Sequence, residues 1–134
     1  MIVADSQSIY WYLAQPDRLS PEALDALDAA EDGDGIVISA WTLPELWMAS
    51  TRKRGSRAIP RAAYELTRAT LLDPGNAIRV EPFDQRMWPH FEVTSLELND
   101  PFDSAVVATA LALAIPLVTS DLAITKAGLV ETVW

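Results

Sequence analysis

Five acidic residues stand where the chain changes character, and their positions rather than their number suggest chemistry. Asp5 closes the apolar run Ile2-Val3-Ala4, and Asp121 follows Leu117-Val118-Thr119-Ser120. Glu45 lies three residues beyond Thr42, while Asp100 and Asp103 bracket Pro101-Phe102. If these groups meet in three dimensions, each like-charged pair at ~4 Å repels by about 1 kcal/mol even in water-like surroundings, so the cluster requires protons or a cation. The chain has no cysteine and one histidine, His90. An oxygen-only donor set suits Mg²⁺, with Mn²⁺ able to substitute, better than zinc. Four of the five acids also have an ordinary structural reading. Thr42 to Glu45 has the spacing of a capping box, Asp100 and Asp121 can cap helices, and Asp103 can oppose a helix dipole. Asp5 resists such a reading, because a charge ending a buried run needs solvent or a counterion.

The elements that would position these acids alternate between strand and helix. Ile2 to Ala4 reads as a strand and Ser8 to Leu13 as a helix with Ile9, Tyr10 and Leu13 on one face. Ser20-Pro21-Glu22 starts a helix that Gly33 and Gly35 end. Ile36-Val37-Ile38 is a second buried strand, followed by a helix from Thr42 through Leu46, Trp47 and Met48. Pro60 opens a helix that uses Tyr64, Leu66 and Leu71, and Ile78-Arg79-Val80 is a third strand. A short helix is expected around Asp84 to Phe91. Asp100-Pro101 then caps an alanine-rich helix that Pro116 stops, and strands at Leu117 to Thr119 and Val130 to Trp134 flank a brief last helix. Alternation of this kind predicts an α/β fold with a mostly parallel sheet covered on both faces. At 134 residues the chain is expected to form a single domain spanning 1–134. In such sheets functional groups collect beyond the carboxyl ends of the strands.

Nineteen Asp and Glu against ten Lys and Arg give a net charge of −9, which disfavours indiscriminate attraction to polyphosphates. The charge is nevertheless segregated. Acids crowd Asp17 to Asp34, while Arg52, Lys53, Arg54, Arg57 and Arg61 form a basic stretch beyond Glu45 that can meet RNA or simply solvate a helix end. The run from Ser104 to Ser120 is too short and too interrupted by proline to span a membrane, and Asp5 interrupts any secretory signal, so a cytoplasmic protein without a membrane partner is expected.

The order of four segments resembles the PIN-domain ribonucleases, particularly VapC-type toxins of bacterial toxin-antitoxin pairs. These are I-V-A-D-S near the start, I-S-A-x-T-L-x-E in the middle, N-D-P-F-D-S-A-V-V-A-T-A late and P-L-V-T-S-D-x-x-I near the end. The resemblance covers essentially the whole chain and implies a three-layer α/β/α sandwich. Carried over position by position, it makes Asp5, Glu45, Asp103 and Asp121 the catalytic metal-site acids, with Asp100 as a supporting metal-site acid and Ser6 as the small hydroxyl after the first Asp. It further implies Mg²⁺-dependent hydrolysis of RNA to 5′-phosphate and 3′-hydroxyl ends, a VapB-like antitoxin partner and a homodimer. Trp11, Trp41 and Trp47 lie where it suggests an antitoxin groove, with core packing as the alternative; Trp88 and Trp134 read as packing residues. Two departures stand out: Leu98 and Ser104 occupy positions where many relatives carry His and Arg, and Gln7 stands where close relatives often have another polar residue.

Three other readings compete. A receiver-type phosphoacceptor domain needs an acidic pair after its first strand, whereas Asp5 has no acidic neighbour and Lys126 falls beyond the last strand-end Asp. A haloacid-dehalogenase-type phosphatase needs Asp-x-Asp there, and the chain has Asp5-Ser6-Gln7. A PIN-like RNA-binding or interaction module with weakened catalysis fits the missing Arg but leaves four clustered acids unexplained.

Overall fold

A computed structural model of the chain describes residues 1–52, 55 and 57–134. Five strands, β1 (Ile2–Ala4), β2 (Ile36–Ser39), β3 (Ile78–Glu81), β4 (Leu117–Val118) and β5 (Thr132–Val133), form one sheet in the order β3-β2-β1-β4-β5, and every pairing is parallel. Seven α-helices occur among the described residues: α1 (Ser6–Ala14), α2 (Pro21–Asp32), α3 (Thr42–Thr51), α4 (Arg61–Leu71), α5 (Trp88–Glu97), α6 (Pro101–Leu113) and α7 (Leu122–Ala127). The expected α/β class and three-layer arrangement are observed.

The layers follow from the two-residue repeat of a strand. Ile2, Ala4, Ile36 and Ile38 project to one face, where Ile9, Leu27, Leu46 and Tyr64 of α1 to α4 cover them. Val3, Val37 and Leu117 project to the other, against Val106, Val107 and Ala110 of α6 and Ile124 of α7. Both faces are covered, which explains why β1 and β2 are apolar at nearly every position rather than alternating. Strand order runs outward from β1 to β3, then returns to β4 and β5 on the other side. The connections therefore part between β1 and β4, which is where a parallel sheet opens a crevice at its carboxyl edge.

Local signals set most helix starts. Asp5, Ser20, Asp100 and Asp121 each accept a backbone N–H of the first turn, from Ser8, Ala23, Phe102 and Ala123 respectively. Because Asp5 is itself a cap, α1 begins at Ser6, two residues before the expected Ser8. The other differences have equally local causes. Helix α5 begins only at Trp88 and continues to Glu97, because the Asp84 carboxylate accepts from the Arg86 backbone and guanidinium and holds that stretch in a turn. Leu66, expected on the buried face of α4, is 73% exposed; Tyr64, Thr67 and Leu71 occupy that face instead. Trp88 and Trp134 also remain 52% and 40% exposed, so each packs along only part of its ring.

Two backbone positions test this account. Gly35 has φ +97°, and a Cβ there would stand 2.8 Å from the Ala77 carbonyl oxygen. Ala114 ends α6 in the left-handed region at φ 53°, where glycine is favoured. Gly35→Ala is expected to destabilise the fold by about 2 kcal/mol, and Ala114→Gly to stabilise it by ~0.5–1 kcal/mol, in urea titrations monitored by circular dichroism.

Candidate active site

Asp5 follows β1 and Asp121 lies three residues past β4, so the strand crossing point brings both to the sheet's carboxyl edge. The Asp5 backbone N–H donates to the Val118 carbonyl at 3.2 Å, and the Asp121 N–H donates to Thr119 Oγ1 at 3.1 Å. Glu45 enters from the first turn of α3, and Asp100 and Asp103 from the cap and first turn of α6. All five line one cleft.

Capping and cleft-lining are compatible because a carboxylate has two oxygens. Asp5, Asp100 and Asp121 each spend Oδ1 on helix amides, at 2.7–2.8 Å for the shortest bond in each case. In Asp100 no hydrogen bond engages Oδ2 among the described residues, and in Asp121 it faces the Arg57 guanidinium at 3.8 Å.

Glu45 corrects the capping-box expectation. Helix α3 starts at Thr42 with no side-chain cap; Thr42 is buried, and Ser39 Oγ accepts from the Trp41 N–H instead. The Glu45 carboxylate instead accepts a hydrogen bond from the buried Ser6 hydroxyl. Ser6 thus orients an acid 39 positions away. No local pattern encodes such a contact.

The carboxylates feel one another. Burial pushes Asp103 up from its ordinary 3.8 to about 7, and the charges of Asp121, Asp100, Glu45 and Asp5 add to the rise. Burial also raises Glu45, reinforced by Asp5 and Asp100 and opposed by the Ser6 hydroxyl and Arg57. Asp5 is raised by burial despite hydrogen bonds from Thr119 and Ser8. Thr119 is a site residue that the strand pattern concealed. Fully buried one residue past β4, its hydroxyl serves both Asp5 and the Asp121 backbone. The signal was a hydroxyl between a strand and its terminal acid.

Among the described residues no three acids are arranged as a finished metal cage. The donor chemistry nevertheless fits a hard divalent cation: only carboxylate oxygens, partly desolvated, raising one another's proton affinity. Asp103, which no hydrogen bond holds among the described residues, is the acid whose side chain is least constrained.

The sites of sequence departure face elsewhere. Leu98 is buried in the core with Val106 and Val107, and Ser104 is buried with its hydroxyl 3.5 Å from the Leu98 carbonyl. Neither lines the cleft. Arg52 and Arg57 do line it, whereas Arg61 lies over the Trp47 ring at 4.4 Å, and Lys53 and Arg54 lie outside the described residues. Trp11 lines the cleft beside Trp134, with Arg18 4.9 Å from its ring centre. Trp41 packs among Phe83, Phe91 and Phe102 at 5.4–5.8 Å, and Trp47 is 44% exposed against Tyr64.

A family description of the PIN domain matches residues 2–129. The chain belongs to the PIN-domain family. The fold of this PIN domain is shared with solved toxin-antitoxin structures. VapBC2 from Rickettsia felis, bound to a promoter DNA fragment, aligns at TM-score 0.70 and 14% identity over 98% of this chain and 97% of that one. VapC20 from Mycobacterium tuberculosis, a toxin cleaving the sarcin-ricin loop, aligns at TM-score 0.68 and 19% identity over 100% of both chains. FitAcB from Neisseria gonorrhoeae aligns at TM-score 0.62 and 19% identity over 98% and 96%. No curated protein matches the sequence significantly. No helix among the described residues is long and apolar enough to cross a membrane.

The raised Asp103 gives a signed pH dependence. Between 3.8 and about 7 the native state binds more protons than the unfolded state, so this contribution is full below that window and is lost as pH rises through it. Without divalent ions, Asp103→Asn is expected to melt a few degrees above the wild type at pH 8, about 1 kcal/mol once solvent screening is allowed for, with the difference vanishing near pH 4. Thermal melts across that range would reveal an equal offset at both ends if the cluster exerted no repulsion.

Proposed function

We propose that this PIN domain is a metal-dependent endoribonuclease acting as the toxin of a VapBC-type toxin-antitoxin pair in the cytoplasm. The observation that carries the reading is the meeting of Asp5, Glu45, Asp100, Asp103 and Asp121 along one cleft at the strand crossing point. Asp5, Glu45, Asp103 and Asp121 would hold Mg²⁺ or Mn²⁺, with Asp100 in support. When bound, the cation supplies a lowered water pKa and neutralises charge on the leaving oxygen.

The chain's own groups have separable tasks. Thr119 steadies Asp5 in its charged form, and Ser6 fixes which Glu45 oxygen turns inward. The Oδ1 caps anchor three of the acids to rigid helix starts, so that the remaining oxygens keep their place as substrate arrives. The single histidine, His90, does not line the cleft, which leaves an imidazole acid-base pair without support.

The basic residues Arg52 and Arg57 give RNA a local welcome on an otherwise anionic protein. The solved VapBC and FitAcB structures support a VapB-like antitoxin as partner, and Trp11 and Trp47 are the aromatic anchors on offer, since Trp41 spends its faces on neighbouring rings. The same likeness favours a homodimer.

Purified wild type is expected to cut RNA in Mg²⁺, leaving 5′-phosphates detectable by end sequencing, and to stop when EDTA is added. Asp5→Asn and Asp103→Asn are expected to slow cutting on the order of 100-fold or more, since even partners of metal ligands are worth roughly 10–100-fold. Mn²⁺ should raise the melting temperature of the wild type more than that of Asp103→Asn. Equal cleavage rates in all three proteins would defeat the nuclease reading.

A further inference from the structure

The cleft's positive charge has an unexpected source. Position 104, directly after the site acid Asp103, is fully buried beside α5, and its carbonyl accepts from the Thr94 hydroxyl at 2.9 Å. No side chain there reaches the acids. Among the described residues, the one cation that pairs with a site acid is Arg57, from the segment between α3 and α4. Of the other arginines lining the cleft, Arg52 pairs with no site acid among the described residues, and Arg18 is committed to the Trp11 ring and to Gln15.

Arg57 is held loosely enough to change partners. Its Nη2 stands 3.8 Å from Asp121 Oδ2, too far for a hydrogen bond, and its side chain is 58% exposed. An exposed ion pair of this kind contributes little, so giving it up costs little. A guanidinium is also the group best shaped to meet two phosphate oxygens at once, through a planar fork that stays charged. It lines the same cleft as Glu45 and Asp103 and stands beside Asp121, so the acids and any phosphate bound over them are within its reach.

Resting on the nuclease reading, we propose that Arg57 is the phosphate-contacting residue of this site: on RNA binding it leaves Asp121 and grips a non-bridging oxygen of the scissile phosphate. One contact then serves two ends. It frees an Asp121 oxygen for the cation and counters negative charge on the phosphate.

The test compares Arg57→Ala, Arg57→Gln and Arg57→Lys with the wild type, using a fluorescein-labelled single-stranded RNA of mixed sequence. Binding is followed by anisotropy over a salt series in the Asp103→Asn background, and cleavage is followed in the Asp103 proteins with Mg²⁺. The Ala and Gln variants are expected to lose roughly 10²–10³-fold in kcat with a smaller change in KM, and to flatten the salt slope by about 0.7, the value of one single-strand phosphate contact. Lys should recover much of the slope and part of kcat. Arg57→Gln keeps the length of the side chain should Ala disturb the loop, and melting curves identify any such disturbance. If both neutral variants keep the wild-type slope and kcat while Mn²⁺ binding tightens, Arg57 only neutralises Asp121 and the proposal is overturned. Cutting by Asp103→Asn at the wild-type rate would overturn the nuclease reading itself, a result separate from the behaviour of Arg57.

Discussion

The repulsion among five half-buried carboxylates is the constraint around which this fold is arranged. Such a cluster raises its own proton affinity, as Asp103 shows most clearly, and would spread apart were its members on flexible loops. They are instead fixed by strand ends and helix starts. The sheet's crossing point brings β1 and β4 side by side, so Asp5 and Asp121 cannot separate without breaking the central strand pair. The low-dielectric layers above and below then sustain an interaction that open solvent would screen.

Helix capping is the means by which the fold tolerates this arrangement. An N-terminal turn presents unsatisfied amides and the positive end of a dipole, and Asp5, Asp100 and Asp121 each sit in one. Each cap offsets part of the desolvation that the same carboxylate suffers in the cleft. The structural and functional readings of these residues, which look like rivals in the sequence, are two uses of two oxygens. Glu45 lacks this support, having no amide partner, and receives the Ser6 hydroxyl in its place.

What the sequence disclosed followed from how local the cause was. Strand β2, the Ser20-Pro21 start of α2 and the Asp100-Pro101 start of α6 are each written within a few neighbouring residues, and all appear where expected. The start of α5 was missed because a side-chain turn at Asp84 competes with helix from outside the periodic pattern. Leu66 was misplaced because a single apolar residue cannot report which face of α4 meets the sheet; Tyr64 and Leu71 decide that jointly. In the site, the identities of the acids were legible, since charges at strand ends are conspicuous. Their supports were not. The Ser6 to Glu45 bond spans 39 positions, Thr119 reads as one more β-branched strand residue, and Arg57 reads as one member of a basic run.

The position of Arg57 follows from the same constraint. A cluster of fixed negative charge attracts whatever cation the chain can bring to it, and α6 cannot supply one, because its early residues after Asp103 turn into the core against α5. Between α3 and α4, Arg57, Ala58, Ile59 and Pro60 line the cleft, and it is from there that a long basic side chain reaches Asp121. A rigid helix would hold its arginine in one place whether or not RNA were present. A loop-borne arginine in a weak, exposed pair has no such commitment, and its charge can follow the negative group that arrives. The buried Ser104 and the half-exposed Arg57 then divide the work: α6 orders its acids, and the positive charge beside them comes from Arg57, outside the helices.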